Sequence, residues 1–370
     1  MKTVLALLLV VSLIAGCTSS ATPGLTNVGP GGFSPSPAPA GLVALSDLAT
    51  GSYLGFQGGL YPGGSNNAPT VHDAAGKAHA VLVQPLDLSG NANSSGKIVM
   101  MSIGMSNTTD EWCDGPTGML SCMTWTFTRL ALASPGINTK LVIANGALGG
   151  QDAKQWLDPT ACLPVPIQGY CNNYDRIAGA VLPALGVSEK QVQVIWLKEA
   201  DAGPTVSLPS ASADAYTLES YLGKIIRAAK VRYPNLQLVF LSSRIYAGYA
   251  TTTLNPEPYA YESGFAVKWT IAAQINQMAG GGADPIAGDL NYGNGTAPWI
   301  GWAAYLWANG TTARSDGLVW CNGQASGPCN GEQDYASDGT HPSAPAGQQK
   351  VGSLLLNFFN ASPYSTPWFL

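Results

Sequence analysis

The sequence predicts an α/β domain whose mainly parallel sheet is covered by helices on both faces. From residue 97 onward, short continuous apolar runs alternate with segments whose apolar residues recur at helical spacing. The runs are uninterrupted, as in strands that are buried on both faces. Polar, chemically useful residues directly follow the runs, at what would be the carboxyl edge of such a sheet, where ligands bind in this class of fold.

The predicted elements follow in order along the chain. The strands are Ile98–Ile103, Leu141–Ala144, Val192–Leu197 and Leu236–Leu241. The helices are residues 125–132, 174–185, 214–232, 259–278 and about 344–359, and several end at glycine or proline. Two regions exceed a minimal fold. Residues 51–96 carry many turn signals and predict a small antiparallel or irregular apron, and residues 284–337 predict an insert rich in Gly, Asn and Trp.

The N-terminus has the features of a bacterial export signal. Residues 1–16 combine a lysine, a short apolar run and small residues, which predicts a signal peptide too short to span a bilayer. The residues before Cys17 are similar to a lipobox, so we expect Cys17 to carry a lipid; an ordinary signal peptide with an incidental Cys17 is the alternative. Residues 17–50, rich in Pro, Gly and Ser, predict a tether, and residues 51–370 the folded domain. The expected location is the bacterial cell envelope, lipid-anchored at the outer membrane or cell surface, or the secreted fraction.

The amino-acid composition limits the classes of partner that we expect for this protein. The chain has 17 basic and 22 acidic residues, a net charge of −5 and no basic stripe, so nucleic acid is not expected as a partner. We expect membrane contact through the lipid anchor only, and the sequence leaves the oligomeric state open. Ten Trp and fifteen Tyr exceed eight Phe, a balance that suits stacking on sugar faces but equally suits burial in a core.

Six cysteines beyond Cys17 lie in three close pairs within polar segments. The predicted disulfides are Cys113–Cys122, Cys162–Cys171 and Cys321–Cys329. Other pairings are arithmetically open, but three short loops fit an oxidising compartment. A metal site is disfavoured because no histidine lies near these cysteines and no C-x-x-C spacing occurs.

The most informative motif is the stretch from Asp338 to Pro342, Asp-Gly-Thr-His-Pro. Of three histidines, only His341 follows an aspartate by three residues in a loop before a predicted helix. A carboxylate that binds Nδ1–H fixes the tautomer and leaves Nε2 free to accept a proton. The nucleophile expected upstream is Ser106, directly after the first apolar run. We interpret His72 and His79 as structural.

These motifs, in this order, resemble the SGNH (GDSL-type) hydrolase superfamily over residues 97–360, and the resemblance implies a flavodoxin-like three-layer α/β/α fold. The nucleophile block is matched by Gly104-Met105-Ser106-Asn107, with Met105 where an aspartate is usual. The D-x-x-H-P block is matched in full. The glycine block is matched by residues 145–150, which implies Ser106 and Gly150 as oxyanion donors.

The family's third block departs in this chain. An asparagine is usual after the third strand, whereas this strand continues into Trp196-Leu197-Lys198-Glu199-Ala200-Asp201, a stretch that loosely resembles the Trp…Gly-Glu-Ser-Asp motif of the carbohydrate acetylesterase branch. Asn145 and Glu199 are the expected further contacts to substrate or oxyanion, with surface or helix-capping acids as the alternative for Glu199. For Arg244, after the fourth strand, we favour a structural ion pair over a substrate contact.

The resulting functional hypothesis is a serine esterase with Ser106, Asp338 and His341 as catalytic residues and with no metal or cofactor. The expected substrate is a small ester or an acylated glycan, with acetyl as the expected acyl group. A lipase-like or aryl-ester esterase is one alternative. A non-catalytic glycan-binding lipoprotein on a hydrolase scaffold is the other, and the missing asparagine is the argument for it.

Overall fold

A computed structural model describes residues 41–115 and 118–370, which belong to one compact unit. The predicted signal peptide, Cys17 and most of the predicted tether lie outside the described residues. No helix among the residues described is long and apolar enough to cross a membrane.

The secondary structure confirms the predicted alternation of strands and helices. The strands are β1 (Ser52–Tyr53), β2 (Phe56–Gln57), β3 (Ile98–Gly104), β4 (Leu141–Asn145), β5 (Val192–Lys198), β6 (Leu238–Leu241) and β7 (Trp299–Trp302). The helices are α1 (Leu45–Leu48), α2 (Thr70–Ala80), α3 (Ser106–Trp112), α4 (Phe127–Ala133), α5 (Asn173–Arg176), α6 (Leu182–Ala184), α7 (Asp214–Arg232), α8 (Tyr259–Met278), α9 (Ala346–Ala361) and α10 (Thr366–Phe369). A π-helical turn, Ile177–Val181, joins α5 to α6, and short 3₁₀ turns lie at Pro62–Gly64, Met119–Ser121, Ala153–Trp156 and Glu189–Gln191.

Five parallel strands form the central sheet in the order β4-β3-β5-β6-β7. In order of appearance within the sheet this is 2-1-3-4-5, the flavodoxin-like order, in which ligands bind at the carboxyl edge near the point where the strand order reverses. That point lies at β3, which pairs with both β4 and β5. The residue that follows β3 is therefore placed at the expected ligand site.

Helices cover the sheet in two layers, so the predicted three-layer fold is confirmed. Helices α7 and α8 pack together, and α3 and α4 pack with α9. Helix α7 forms where predicted because Leu218, Leu222 and Ile225 recur on one buried face. It ends at Arg232, just before Pro234, which cannot continue a helix.

The structure corrects the predictions for the two regions outside the minimal fold, the apron of residues 51–96 and the insert of residues 284–337. The apron contains the antiparallel hairpin β1–β2, as predicted, but also α2, which packs on β7. The insert contributes β7 to the sheet, which the sequence did not predict. A strand of only four residues that includes Gly301 has a weak signal of its own; its register with β6, from Leu238–Trp299 to Leu241–Trp302, defines it.

The tryptophans of the insert form part of the core. Trp299, Trp307 and Trp320 are fully buried and Trp302 nearly so. Of the two alternatives left open for the Trp- and Tyr-rich composition, burial in a core applies to these tryptophans, because buried ring faces cannot meet a glycan. Burial of large apolar area explains these residues.

The folded body also begins earlier than predicted. Leu42, Ala44 and Leu45 are buried in the hydrophobic core, and the Leu45 N–H donates to the Tyr305 hydroxyl at 3.1 Å. Residues 42–50 thus belong to the body and not to the tether, because their few apolar side chains find a place in its core.

All three predicted disulfides are present, Cys113–Cys122, Cys162–Cys171 and Cys321–Cys329. Each closes a loop of fewer than a dozen residues. The first of them directly follows α3, the helix that begins with Ser106.

Candidate active site

Ser106 is the first residue of α3 and lies at the carboxyl edge of the sheet, directly after β3. The turn between them is tight. A Cβ at Gly104 would lie 2.2 Å from Thr108 Oγ1 and 2.5 Å from the Lys198 carbonyl oxygen, so only glycine fits. This turn leaves the Ser106 side chain partly exposed to solvent.

The hydroxyl of Ser106 meets the imidazole of His341. Its Oγ lies 2.7 Å from His341 Nε2, and on the far side of the ring Nδ1–H donates to Asp338 Oδ2. The three residues predicted from separate parts of the sequence therefore form one hydrogen-bonded series. The aspartate holds the tautomer in which Nε2 is unprotonated and able to accept the Ser106 proton.

Asp338 is held as a carboxylate by its own loop. Its Oδ1 accepts the backbone N–H groups of Thr340 at 3.1 Å and His341 at 3.0 Å. Partial burial would raise the pKa of Asp338, but these bonds and the bond from the imidazole outweigh it and lower the pKa. An ionised Asp338 is suited to stabilise an imidazolium that forms beside it.

The loop that carries the pair requires a glycine. Gly339 has φ of +68°, and a Cβ there would lie 1.9 Å from the Tyr249 carbonyl oxygen. The next segment fastens the same loop, because the Thr251 N–H donates to the Asp338 carbonyl at 2.8 Å. The spacing of Asp338 and His341 thus results from a backbone that is fixed on both sides.

The glycine block lies against the nucleophile. A Cβ at Gly149 would lie 3.7 Å from Ser106 Cβ, and Gly150 adopts a left-handed φ of +76°. Within the described residues, the backbone N–H groups of Ser106, Gly149 and Gly150 donate to no protein acceptor. Free N–H groups beside a nucleophile are what an oxyanion site requires.

Asn145 and Glu199 are the two other predicted contacts to substrate or oxyanion. Asn145 is the half-buried last residue of β4. Its Oδ1 accepts the Ser102 hydroxyl at 2.9 Å, so this oxygen is bonded to the neighbouring strand β3. Glu199 is 1% exposed and its Oε2 accepts the Ala200 N–H at 3.3 Å, and its role as a substrate or oxyanion contact stays a prediction. Burial raises the pKa of Glu199 well above its usual range. Glu199 and Ala200, which directly follow β5, are thus both buried.

Buried hydrogen bonds that the sequence did not predict hold the loop of Asp338 and His341. Asn107 Nδ2 donates to the Thr340 carbonyl at 2.8 Å, and Arg244 Nη2 donates to Thr340 Oγ1, also at 2.8 Å. Both contacts converge on the residue between Asp338 and His341. Arg244 is structural, as favoured, but it acts through hydrogen bonds, since it forms no ion pair within the part of the chain described.

A buried ion pair ties α3 to the neighbouring strand. Lys198, the last residue of β5, lies with its Nζ 2.5 and 2.6 Å from the two carboxylate oxygens of Glu111, and both side chains are almost fully buried. Thr108 Oγ1 adds a bond of 2.7 Å to the Lys198 carbonyl. These contacts fix the helix that carries Ser106. The signal available in the sequence was the occurrence of charged residues within or beside apolar runs, where burial requires a partner.

The two remaining histidines are structural, as predicted. His72 is buried and its Nε2 donates to the Ile300 carbonyl at 2.9 Å. Burial lowers the pKa of His72 to about 4. His79 Nδ1 lies 3.1 Å from Gln237 Oε1. Neither residue takes part in the site around Ser106.

No protein-family model and no curated protein matches this chain. Among solved structures, it is similar to a protein assigned as a GDSL-like lipase from Parabacteroides merdae, at 11% identity and a TM-score of 0.35, over 70% of this chain and 94% of that one. A carbohydrate esterase family 2 enzyme with a carbohydrate-binding domain, from Corynascus thermopiles (Myceliophthora fergusii), has 13% identity and a TM-score of 0.37 over 73% and 68%. An extracellular lipase from Streptomyces rimosus has 14% identity and a TM-score of 0.32 over 70% and 98%. At these values the similarity does not decide the activity, which is argued below from this chain's own residues.

Proposed function

We propose that this protein is a serine esterase that hydrolyses carboxylic esters with a small acyl group. The observation that carries the proposal is the series Ser106 Oγ–His341 Nε2–Asp338, with 2.7 Å between hydroxyl and imidazole. Ser106 is partly exposed at the carboxyl edge of the sheet, where a substrate has access. Nucleophile, base and orienting acid are thus within hydrogen-bond reach of one another.

The chemistry follows from these positions. His341 Nε2 accepts the Ser106 proton while Oγ attacks the ester carbonyl, and Asp338 stabilises the imidazolium. The free N–H groups of Ser106 and Gly150 are the proposed donors to the oxyanion. The imidazolium returns its proton to the departing alcohol, which leaves an acyl-Ser106. Water, deprotonated by the same imidazole, then releases the acid and restores the serine.

The proposed substrate is an acetyl ester on a carbohydrate. The support is the stretch from Trp196 to Asp201, with its loose resemblance to the carbohydrate acetylesterase branch. The cleft of about 600 Å³ between the α2 region and the end of α9 is lined by neither Ser106 nor His341, so it offers the triad no pocket for a long acyl chain. Export, a lipid on Cys17 and a place in the cell envelope belong to the same proposal, supported by the N-terminal sequence and the disulfides.

The test is hydrolysis of p-nitrophenyl acetate and p-nitrophenyl octanoate by the purified chain and by two variants. Ser106→Ala removes the nucleophile, and we expect its turnover to fall by at least about 10³-fold with an unchanged melting temperature. Ser95→Ala is the matched control, because Ser95 is exposed on a remote turn and its hydroxyl forms no hydrogen bond within the described part of the chain. Acetate should be the better substrate, and acetylated xylan should then release acetate.

Three results would overturn parts of this proposal. Full activity in Ser106→Ala would show that Ser106 is not the nucleophile. Preference for octanoate would favour a lipase-like enzyme. Absence of turnover on both esters and on acetylated polysaccharides would leave glycan binding without catalysis as the better explanation.

A further inference from the structure

A second cleft is lined by residues of α7, α8, β2 and the segment that follows α8. Its volume is about 320 Å³, within the range of small-molecule sites. The side chains that line it and matter here are Phe56, Tyr216, Glu219, Trp269, Asn276 and Asp284. None of the three triad residues contributes to it, so the inference below does not rest on the proposed function.

Three aromatic rings form one wall of this cleft. Tyr216 and Trp269 stack with ring centroids 5.0 Å apart and an interplanar angle of 14°, and Phe56 lies 5.4 Å from Trp269 at 60°. All three side chains are only half-buried. The exposed parts of these rings border the cleft, and aromatic rings attract cations through their quadrupole.

Glu219, three residues after Tyr216 on α7, is an acidic residue of the same cleft. Its residue is only 4% exposed, and its carboxyl forms no hydrogen bond or ion pair with any residue that the structure describes. Buried carboxyl groups in proteins are nearly always partnered, because an unpartnered one costs stability. Glu219 is thus an acid of low exposure that lines an open cleft, and no residue in the described part of the chain partners its carboxyl.

The surroundings of Glu219 contain no basic side chain that could serve as that partner. Asp284, from the segment after α8, is the other charged group in the cleft, and one of its oxygens already accepts the N–H groups of Ile286 and Ala287 at 2.8 and 2.9 Å. Tyr216 is the titratable neighbour on α7. Phe56, Trp269 and Asn276, from β2 and α8, do not titrate. The cleft is therefore acidic and aromatic, with no positive charge among its described lining residues.

We propose that this cleft binds an organic ammonium ion, with the cationic head group between Glu219 and the rings of Trp269, Tyr216 and Phe56. An aromatic wall combined with a carboxylate is the recognised chemistry for alkylammonium groups. A neutral sugar would also stack on the rings, but it would not use the charge of an acid. The unpartnered carboxyl is the feature that favours the cation.

The proposal has a consequence for proton linkage. Burial, and next the charge of Asp284, raise the pKa of Glu219 to about 8. At neutral pH the free protein therefore holds a proton on Glu219, and a bound cation favours its release. Affinity should rise with pH through about 8, and binding at pH 7 should release a proton.

The experiment is titration calorimetry of the full chain with choline, against 3,3-dimethyl-1-butanol, which has the same shape without the charge. We expect choline to bind at least about tenfold more tightly, a difference of about 1.4 kcal/mol. Affinity should increase from pH 6.5 to 9, and heats in buffers of different ionisation enthalpy should show proton release. Glu219→Gln should weaken choline binding about tenfold or more and abolish its pH dependence.

Two further variants complete the test. Tyr216→Leu removes a ring and should also weaken binding, whereas Asp158→Asn removes one charge from an exposed loop elsewhere and should leave binding unchanged. Thermal unfolding followed by circular dichroism reports folding of every variant, and this readout does not depend on the proposed activity. Equal binding of choline and the neutral alcohol, no choline binding at pH 9, or an undiminished affinity in Glu219→Gln would overturn the proposal. Binding of xylose or glucose that depends on Tyr216 but not on pH would assign the cleft to neutral sugars instead.

Discussion

Thr340 has no part in the proposed chemistry, yet it holds the loop between Asp338 and His341. Its carbonyl accepts Asn107, and its hydroxyl accepts Arg244 at 2.8 Å while donating to the Leu254 carbonyl at 3.2 Å. It is fully buried. Single residues of this kind position the triad through the backbone and not through contact with substrate.

Thr340→Val tests this role with a side chain of the same shape. The change leaves the Arg244 Nη2 donor without the hydroxyl in a buried place, so the free energy of unfolding should fall by about 1–3 kcal/mol. We also expect kcat to fall while KM changes little, since the imidazole is displaced and no substrate contact is lost. Chemical denaturation and steady-state kinetics measure the two effects. Unchanged kcat would show that the loop holds His341 without Thr340.

Asp338→Asn tests the orientation of the imidazole. An amide can present an N–H to Nδ1, which favours the wrong tautomer and removes the charge that stabilises the imidazolium. We expect kcat/KM on p-nitrophenyl acetate to fall on the order of 10³–10⁴-fold, with a melting temperature close to the original. A loss of less than tenfold would argue that Asp338 is not the orienting acid.

At the scale of elements, α3 depends on contacts at both of its ends. Its first residue is Ser106, and Cys113, directly after its last turn, is bonded to Cys122. The buried pair of Glu111 with Lys198 joins its last turn to β5. A helix of seven residues is not stable by itself, so these contacts maintain it.

Replacing both Cys113 and Cys122 with alanine should therefore affect stability and activity together. Loop-closure entropy for so short a loop gives a loss of about 2–3 kcal/mol in the free energy of unfolding. We expect activity to decline at a lower temperature than in the original protein, because α3 loosens first. The corresponding double variant of Cys162 and Cys171, whose loop does not adjoin α3, is the control. It should lower stability without lowering activity at 25 °C, and an equal effect on activity would contradict the local role of the first disulfide.

At the scale of the whole molecule, buried ionisable groups make stability depend on pH. Glu219 is the clearest case, because its usual pKa of 4.5 rises to about 8 in the folded protein. Between these values the folded state binds the proton more tightly than the unfolded state. Folding stability is therefore lost as pH rises from about 4.5 to 8, and the loss persists above 8.

Glu219→Gln removes this titration. Each pKa unit corresponds to roughly 1.4 kcal/mol, so between pH 5 and 9 the original protein should lose at least that much more unfolding free energy than the variant. Denaturant unfolding at pH 5, 7 and 9 measures the difference, with Asp158→Asn as the control for a change in net charge. Parallel pH profiles for the original protein and Glu219→Gln would show that the carboxyl does not titrate as described.

The sequence by itself determined the elements whose signal is local. Helices α7 and α8 have the predicted bounds, Asp214–Arg232 and Tyr259–Met278, because helical periodicity and the residues that end them act over neighbouring positions. The strands of the sheet core, the three disulfides and the triad residues were predicted for the same reason: short motifs carry them. Their order along the chain sufficed to predict that Ser106 and His341 meet.

Only the tertiary structure decided what depends on distant neighbours. β7 is a strand because β6 pairs with it, and the tryptophans of the insert are core residues because the sheet and helices enclose them. Glu199 is buried, and Thr340 is held by Arg244, since folding brings together segments far apart in sequence. The cleft at Glu219 likewise exists only where α7, α8 and the β1–β2 hairpin meet. For these residues, burial and partnership result from packing between distant segments, which a local sequence pattern does not encode.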